Sequence, residues 1–121
     1  MWREWLRSIL GEDDSEARGL RLLREWLSAG QLAQFDADDH FEVVGCHSGK
    51  RYRILHGVSM NVHEIDASGR PLHCWCFVPD ASYLASGDIM LAQKIALETD
   101  EFAALAVANK FPVKTTQPYR R

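Results

Sequence analysis

Apolar residues recur at helical spacing over the first third of the chain, at alternate positions through its middle, and at helical spacing again toward its end. Trp2, Trp5, Leu6, Ile9 and Leu10 place one apolar face on a helix over residues 1–11, which Gly11 ends. The acidic run Glu12, Asp13, Asp14 and Ser15 supplies caps for a second helix. Leu20, Leu23 and Leu27 form its stripe, widened by Trp26, and Gly19 weakens it slightly. Ser28 followed by Gln31 has capping-box spacing and starts a short third helix, with Leu32 and Phe35 inward. Helices therefore fill residues 15–37.

Period 2 then takes over. Residues 41–46, 50–56, 58–66 and 71–78 read as four strands, separated by Ser48-Gly49, Gly57 and Ala67-Ser68-Gly69. Tyr52 and Ile54 share one side of the second strand; Arg51, Arg53 and Leu55 share the other. The fourth strand puts Leu72, Cys74, Cys76 and Val78 on one face, and His73, Trp75 and Phe77 on the other. Both faces are apolar, so this strand is expected at the centre of the core, covered on both sides. Asp88 is a good N-cap for a final helical segment over residues 88–110, with a kink or restart near Thr99, where Asp100 can cap again. Pro112 ends it, and residues 113–121 form a loose basic tail. The expected fold is a single α+β domain: N-terminal helices, a four-stranded antiparallel meander, and a C-terminal helix packed on the sheet.

The totals narrow the class. A chain of 121 residues buries roughly two-thirds of its unfolded surface, enough for one core without staples. The net charge of −3 disfavours non-specific nucleic-acid binding. Three cysteines, two of them one residue apart, are no disulfide framework and suit a reducing compartment. No window reads as a signal peptide or a spanning helix, so a cytoplasmic location is expected.

Certain residues also recur elsewhere. Ser48-Gly49 with Arg51-Tyr52-Arg53-Ile54, then Asn61-Val62, then Gly87-Asp88 and the run from Met90 through Glu98 resemble a set of small uncharacterised bacterial proteins. The resemblance covers roughly residues 26–111 and implies a stand-alone bacterial protein. It implies no activity, cofactor or site residue.

Five features offer chemistry. Cys46, Cys74 and Cys76 with a histidine have the donors of a zinc site. Thiols at i and i+2 on a regular strand lie roughly 7 Å apart, however, too far to share one metal. Buried cysteine as a small hydrophobe is the stronger reading, and no metal or cofactor is expected. A Cys or Ser nucleophile paired with His47, His56 or His63 is conceivable, but nothing in the residue order selects a pair. The basic hairpin of His47, Lys50, Arg51, Tyr52, Arg53 and His56 has the charges and aromatic ring of a nucleic-acid ribbon. Its alternative is cross-strand pairing of Arg51 and Arg53 with Glu42 or Glu64. Trp2 and Trp5 are either core or an interface. Gln93, Lys94 and Glu98 read as a solvated helix face. The leading expectation is a small non-enzymatic interaction or accessory protein, self-associating as a homodimer or binding a protein partner through Trp2, Trp5, Arg51, Tyr52 and Arg53. A thiol or zinc enzyme and a nucleic-acid module are the alternatives.

Overall fold

Strand pairing in chain order is the frame on which everything else is placed. A computed structural model of the chain describes residues 14–77 and 85–112. Helices α1 (Asp14–Trp26) and α2 (Ala29–Asp38) precede strands β1 (His40–Val44), β2 (Arg51–Leu55), β3 (Val62–Ile65) and β4 (Pro71–Cys76). Helices α3 (Ser86–Thr99) and α4 (Glu101–Val107) then lead to β5 (Asn109–Pro112). The sheet order is β1-β2-β3-β4-β5, with every neighbour antiparallel. The fold is α+β with an antiparallel sheet, and no described helix is long and apolar enough to cross a membrane. The expected helix over residues 1–11, the tail over 113–121 and Val78 lie outside the described residues.

Among the described residues the sheet has five strands where alternation predicted four. Helical spacing of Phe102, Leu105, Ala106 and Asn109 suggested a helix through Lys110, but Ala108 turns extended (φ −86°, ψ 156°) and the chain leaves the helix there. Residues Asn109–Pro112 then pair with β4, Lys110 opposite Trp75 and Phe111 opposite Cys74. Pairing across more than thirty residues is invisible to local periodicity, and Pro112 already ruled out a helix beyond it.

Helix ends obey capping chemistry in part. Ser28 and Gln31 form the reciprocal capping box of α2, at 3.2 and 3.0 Å. The break between α3 and α4 falls at Asp100, but its side chain caps nothing. Helix α3 starts at Ser86 rather than after Asp88. Asp88 lies inside the first turn, where a carboxylate favours the helix dipole, and Glu16 of α1 accepts the Ser86 N–H instead, at 3.1 Å.

One sheet face meets the helices. Phe41, Ile54, Val62 and Trp75 line up across β1 to β4, as do Val43, Tyr52, Glu64 and His73. The apolar members of these rows make the core with Leu23 of α1, Leu27 just past its end, Phe35 of α2, and Met90, Leu91 and Leu97 of α3. Its centre is β2 and β3, where Tyr52, Ile54 and Val62 are fully buried. This corrects the expectation that β4 is central. Trp75 and Phe77, not the cysteines, face the helical side. Cys74 and Cys76 are buried on the opposite face, while a bulge opposite Glu64 and Ile65 shifts the register and leaves Leu72 exposed.

Helices α1 and α3 cross at two glycines. A Cβ on Gly87 would stand 2.2 Å from the Gly19 carbonyl carbon, so only glycine allows this approach.

Candidate functional site

The β1–β2 turn closes around one buried carboxylate. Glu101, the first residue of α4, is fully buried. It accepts hydrogen bonds from the backbone N–H groups of His47 (2.9 Å) and Ser48 (2.8 Å), from the Ser48 hydroxyl, and from the Tyr52 hydroxyl (2.6 Å). Burial alone would raise its pKa, but these donors outweigh it and hold the carboxyl down at about 2. The phenol of Tyr52 moves the other way: burial first, then its bond to Glu101, push it well above the ordinary tyrosine range. A Cβ on Gly45 would fall 2.3 Å from the Glu101 carboxyl, which explains the glycine there. Around this clamp, the Glu101 N–H points to the Cys46 sulfur at 3.4 Å, and the Phe102 N–H donates to His47 Nδ1 at 3.1 Å. Every group is satisfied by its neighbours, so the cluster is a fastening between turn and helix.

The predicted basic hairpin is largely neutralised from within. The guanidinium groups of Arg51 and Arg53 both reach Glu42, at 2.8 and 3.5 Å. Arg51 also donates to the carbonyls of Asp66 and Ala67. Lys50 lies 3.6 Å from Glu64. Tyr52, expected beside them as a contact residue, has its ring in the core and its hydroxyl on Glu101. Trp2 and Trp5 lie outside the described residues.

The thiols are not gathered. Cys46 is exposed on the turn, and Cys74 and Cys76 are buried on β4. Burial, then neighbouring Cys76, push the Cys74 thiol up, and its sulfur hydrogen-bonds the Met60 carbonyl at 3.1 Å. A raised thiol pKa means little thiolate and little nucleophilicity. His63, opposite Cys74, is held below the ordinary histidine range by burial and by Arg53. Among the described residues no group of three or more His, Cys, Asp or Glu is arranged to hold a metal ion.

Two further polar clusters tie helices down. Asn61 and Gln93 exchange side-chain hydrogen bonds at 2.8 and 3.0 Å, both buried. Gln93, read from sequence as part of a solvated face, thus points inward, and so does Lys94, paired with Glu98 at 2.6 Å. The Ser86 hydroxyl meets both Glu16 and His56 Nε2, the latter at 3.1 Å. A serine beside a histidine invites a nucleophilic reading. Here, though, the carboxylate grips the serine itself rather than orienting the imidazole, and triad logic requires the second arrangement.

The outer side of α1 carries exposed apolar side chains, as α4 does with Phe102 and Val107. Leu22 is 42% exposed and Trp26, one turn on, 59%. Beside them runs an open groove of about 420 Å³ lined by Ser15, Arg18, Gly19, Arg21, Leu22 and Glu25 with Asp88 of α3. From sequence, Trp26 widened the core stripe. Its angular position, a quarter-turn from Leu23 and Leu27 and directly above Leu22, is the signal that would have placed it outside.

Compared with protein-family models, with curated proteins and with solved structures, the chain finds no match.

Proposed function

We propose that this chain is a small non-enzymatic interaction module, a bacterial cytoplasmic accessory protein that associates with itself or with a protein partner. The observation that carries the reading is the exposure of Trp26 together with Leu22 beside an open groove. Single exposed aliphatic residues are ordinary on a protein surface. A tryptophan and a leucine one helical turn apart are not, because an indole left in water forgoes one of the largest apolar gains a side chain can make, and tryptophan is enriched where interfaces concentrate their binding energy. The resemblance to small stand-alone bacterial proteins and the three free thiols support the assigned setting.

The alternatives have less behind them. A nucleic acid would find Arg51 and Arg53 already engaged by Glu42 and the Tyr52 ring inside the fold. A thiol enzyme would need a depressed cysteine pKa, and Cys74 is shifted the opposite way.

Light scattering coupled to gel filtration, run on the full chain over a micromolar concentration series, tests the reading. A mass rising toward twice that of one chain supports self-association. A single chain's mass at every concentration, with no protein retained by the immobilised chain under low-salt washing, would end it.

A further inference from the structure

We infer that α1 is a two-fold interface between two copies of this chain, in which Trp26 of each copy seats in the α1 groove of the other; this rests on the self-association reading above. Trp26 closes the C-terminal end of α1, and the groove runs back along the same helix from Glu25 to Ser15. An antiparallel crossing lays the knob of each copy along the groove of the other, and a two-fold axis then repeats the contact, as closed dimers require.

Charge selects the same arrangement. Arg18 and Arg21 lie toward one end of the groove and Glu25 toward the other. Neither Arg21 nor Glu25 takes part in any of the ion pairs found among the described residues. An antiparallel pair sets the arginine end of each helix against Glu25 of its mate, twice over. A parallel pair would set Arg21 on Arg21 and Glu25 on Glu25. In the antiparallel pair the indole of Trp26 comes to lie near the Arg18 and Arg21 guanidinium groups, which favour an aromatic face, with Asp88 on the far wall as an acceptor for the indole N–H.

Size sets the strength. Each indole covers roughly 150–250 Å², and α1 is about 20 Å long. One helix pair of that length falls short of the roughly 800 Å² per partner of a standard stable interface. The dimer is therefore weak and concentration-dependent, with a midpoint in the micromolar range.

Sedimentation velocity on the full chain, over a concentration series, tests this. The unmodified chain dissociates on dilution. Trp26→Ala raises the dissociation constant roughly 30-fold, the effect of truncating a central interface tryptophan. Because Trp26 is largely outside the core, its melting curve stays close to that of the parent. Glu25→Arg weakens the dimer roughly fivefold, as two exposed ion pairs become repulsive, and mixing it with an equal amount of Arg21→Glu restores association. A dimer whose constant neither Trp26→Ala nor Glu25→Arg changes would overturn the α1 interface and leave self-association through another face standing. Failure of the mixture to recover would overturn the antiparallel arrangement. A chain monomeric throughout would overturn both the interface and the reading it rests on.

Discussion

At the scale of single residues, the fold spends its strongest polar interactions on fastening one turn. Glu101 accepts four hydrogen bonds from His47, Ser48 and Tyr52. Glu101→Gln keeps the volume but replaces an acceptor oxygen with a donor aimed at donors. Urea unfolding should show a loss of about 2–3 kcal/mol, against about 1 kcal/mol for Tyr52→Phe, which removes one donor and leaves the carboxylate otherwise satisfied. The pH dependence follows from the sign of the shift. The folded pKa of Glu101, about 2, lies below that of the unfolded chain, near 4.3. Its contribution is fully present above the unfolded value and is lost as pH falls from there toward about 2. In Glu101→Gln the acid limb of the stability curve should be flatter in that window; an unchanged limb would mean the carboxylate is not held as described. His63 adds a second, higher limb. Burial and Arg53 depress its folded pKa, so the unfolded chain takes up a proton first as pH drops below about 6.5, and stability falls there. His63→Gln should remove that shallow limb and leave the lower one intact.

At the scale of elements, the α1–α3 crossing and the β4–β5 pairing separate what local pattern encodes from what it does not. The stripe of Leu23 and Leu27, the Ser28/Gln31 capping box and the alternation through β1 and β2 follow from spacing alone, and the structure has them where the spacing put them. Three features escaped. Strand β5 exists because β4 is there to pair with it, and no local window contains both. Gly19 reads singly as a weak point in a helix and Gly87 as the residue before Asp88; their meaning lies in meeting each other. The inward turn of Gln93 depends on Asn61 waiting across the interface. The glycine pair gives a graded prediction. Gly87→Ala puts a methyl into backbone atoms, so it should cost about 3 kcal/mol or more despite alanine's better helix propensity. Gly19→Ala meets the Ala85 side chain at 3.0 Å, so part of its propensity gain survives and the loss is smaller. Gly30→Ala meets nothing within 4 Å on the same helical scaffold and should stabilise, by up to about 1 kcal/mol. Chemical denaturation of the three variants orders them; Gly87→Ala ranking with Gly30→Ala would disprove the close crossing.

At the scale of the molecule, an antiparallel sheet must keep its two edges from recruiting other strands, and the two edges here are treated differently. Strand β1 is closed by side chains: Gln34 accepts from the Glu42 N–H at 2.9 Å, and Gln31 donates to the Glu42 carbonyl at 2.9 Å. Strand β5 is only four residues long and carries Lys110 and Pro112, three of the devices that make an edge a poor template. Association through a continued sheet is thereby disfavoured at both ends, which leaves side-chain surfaces such as the Leu22 and Trp26 face of α1 as the ones suited to a partner. That surface was only half legible: the presence of tryptophan was plain, while its outward direction lay in its offset from the Leu23 and Leu27 stripe, which hydrophobicity alone does not register. Removing the amides should convert the β1 edge into a template. Gln31→Ala with Gln34→Ala leaves the outward N–H and C=O of Glu42 unpaired, so on mild heating the double variant should form thioflavin-positive aggregate faster than the parent. Ser28→Ala separates this effect from loss of the α2 cap, since it removes half the capping box while sparing both bonds to Glu42. If the edge argument holds, Ser28→Ala lowers the melting temperature without accelerating aggregation.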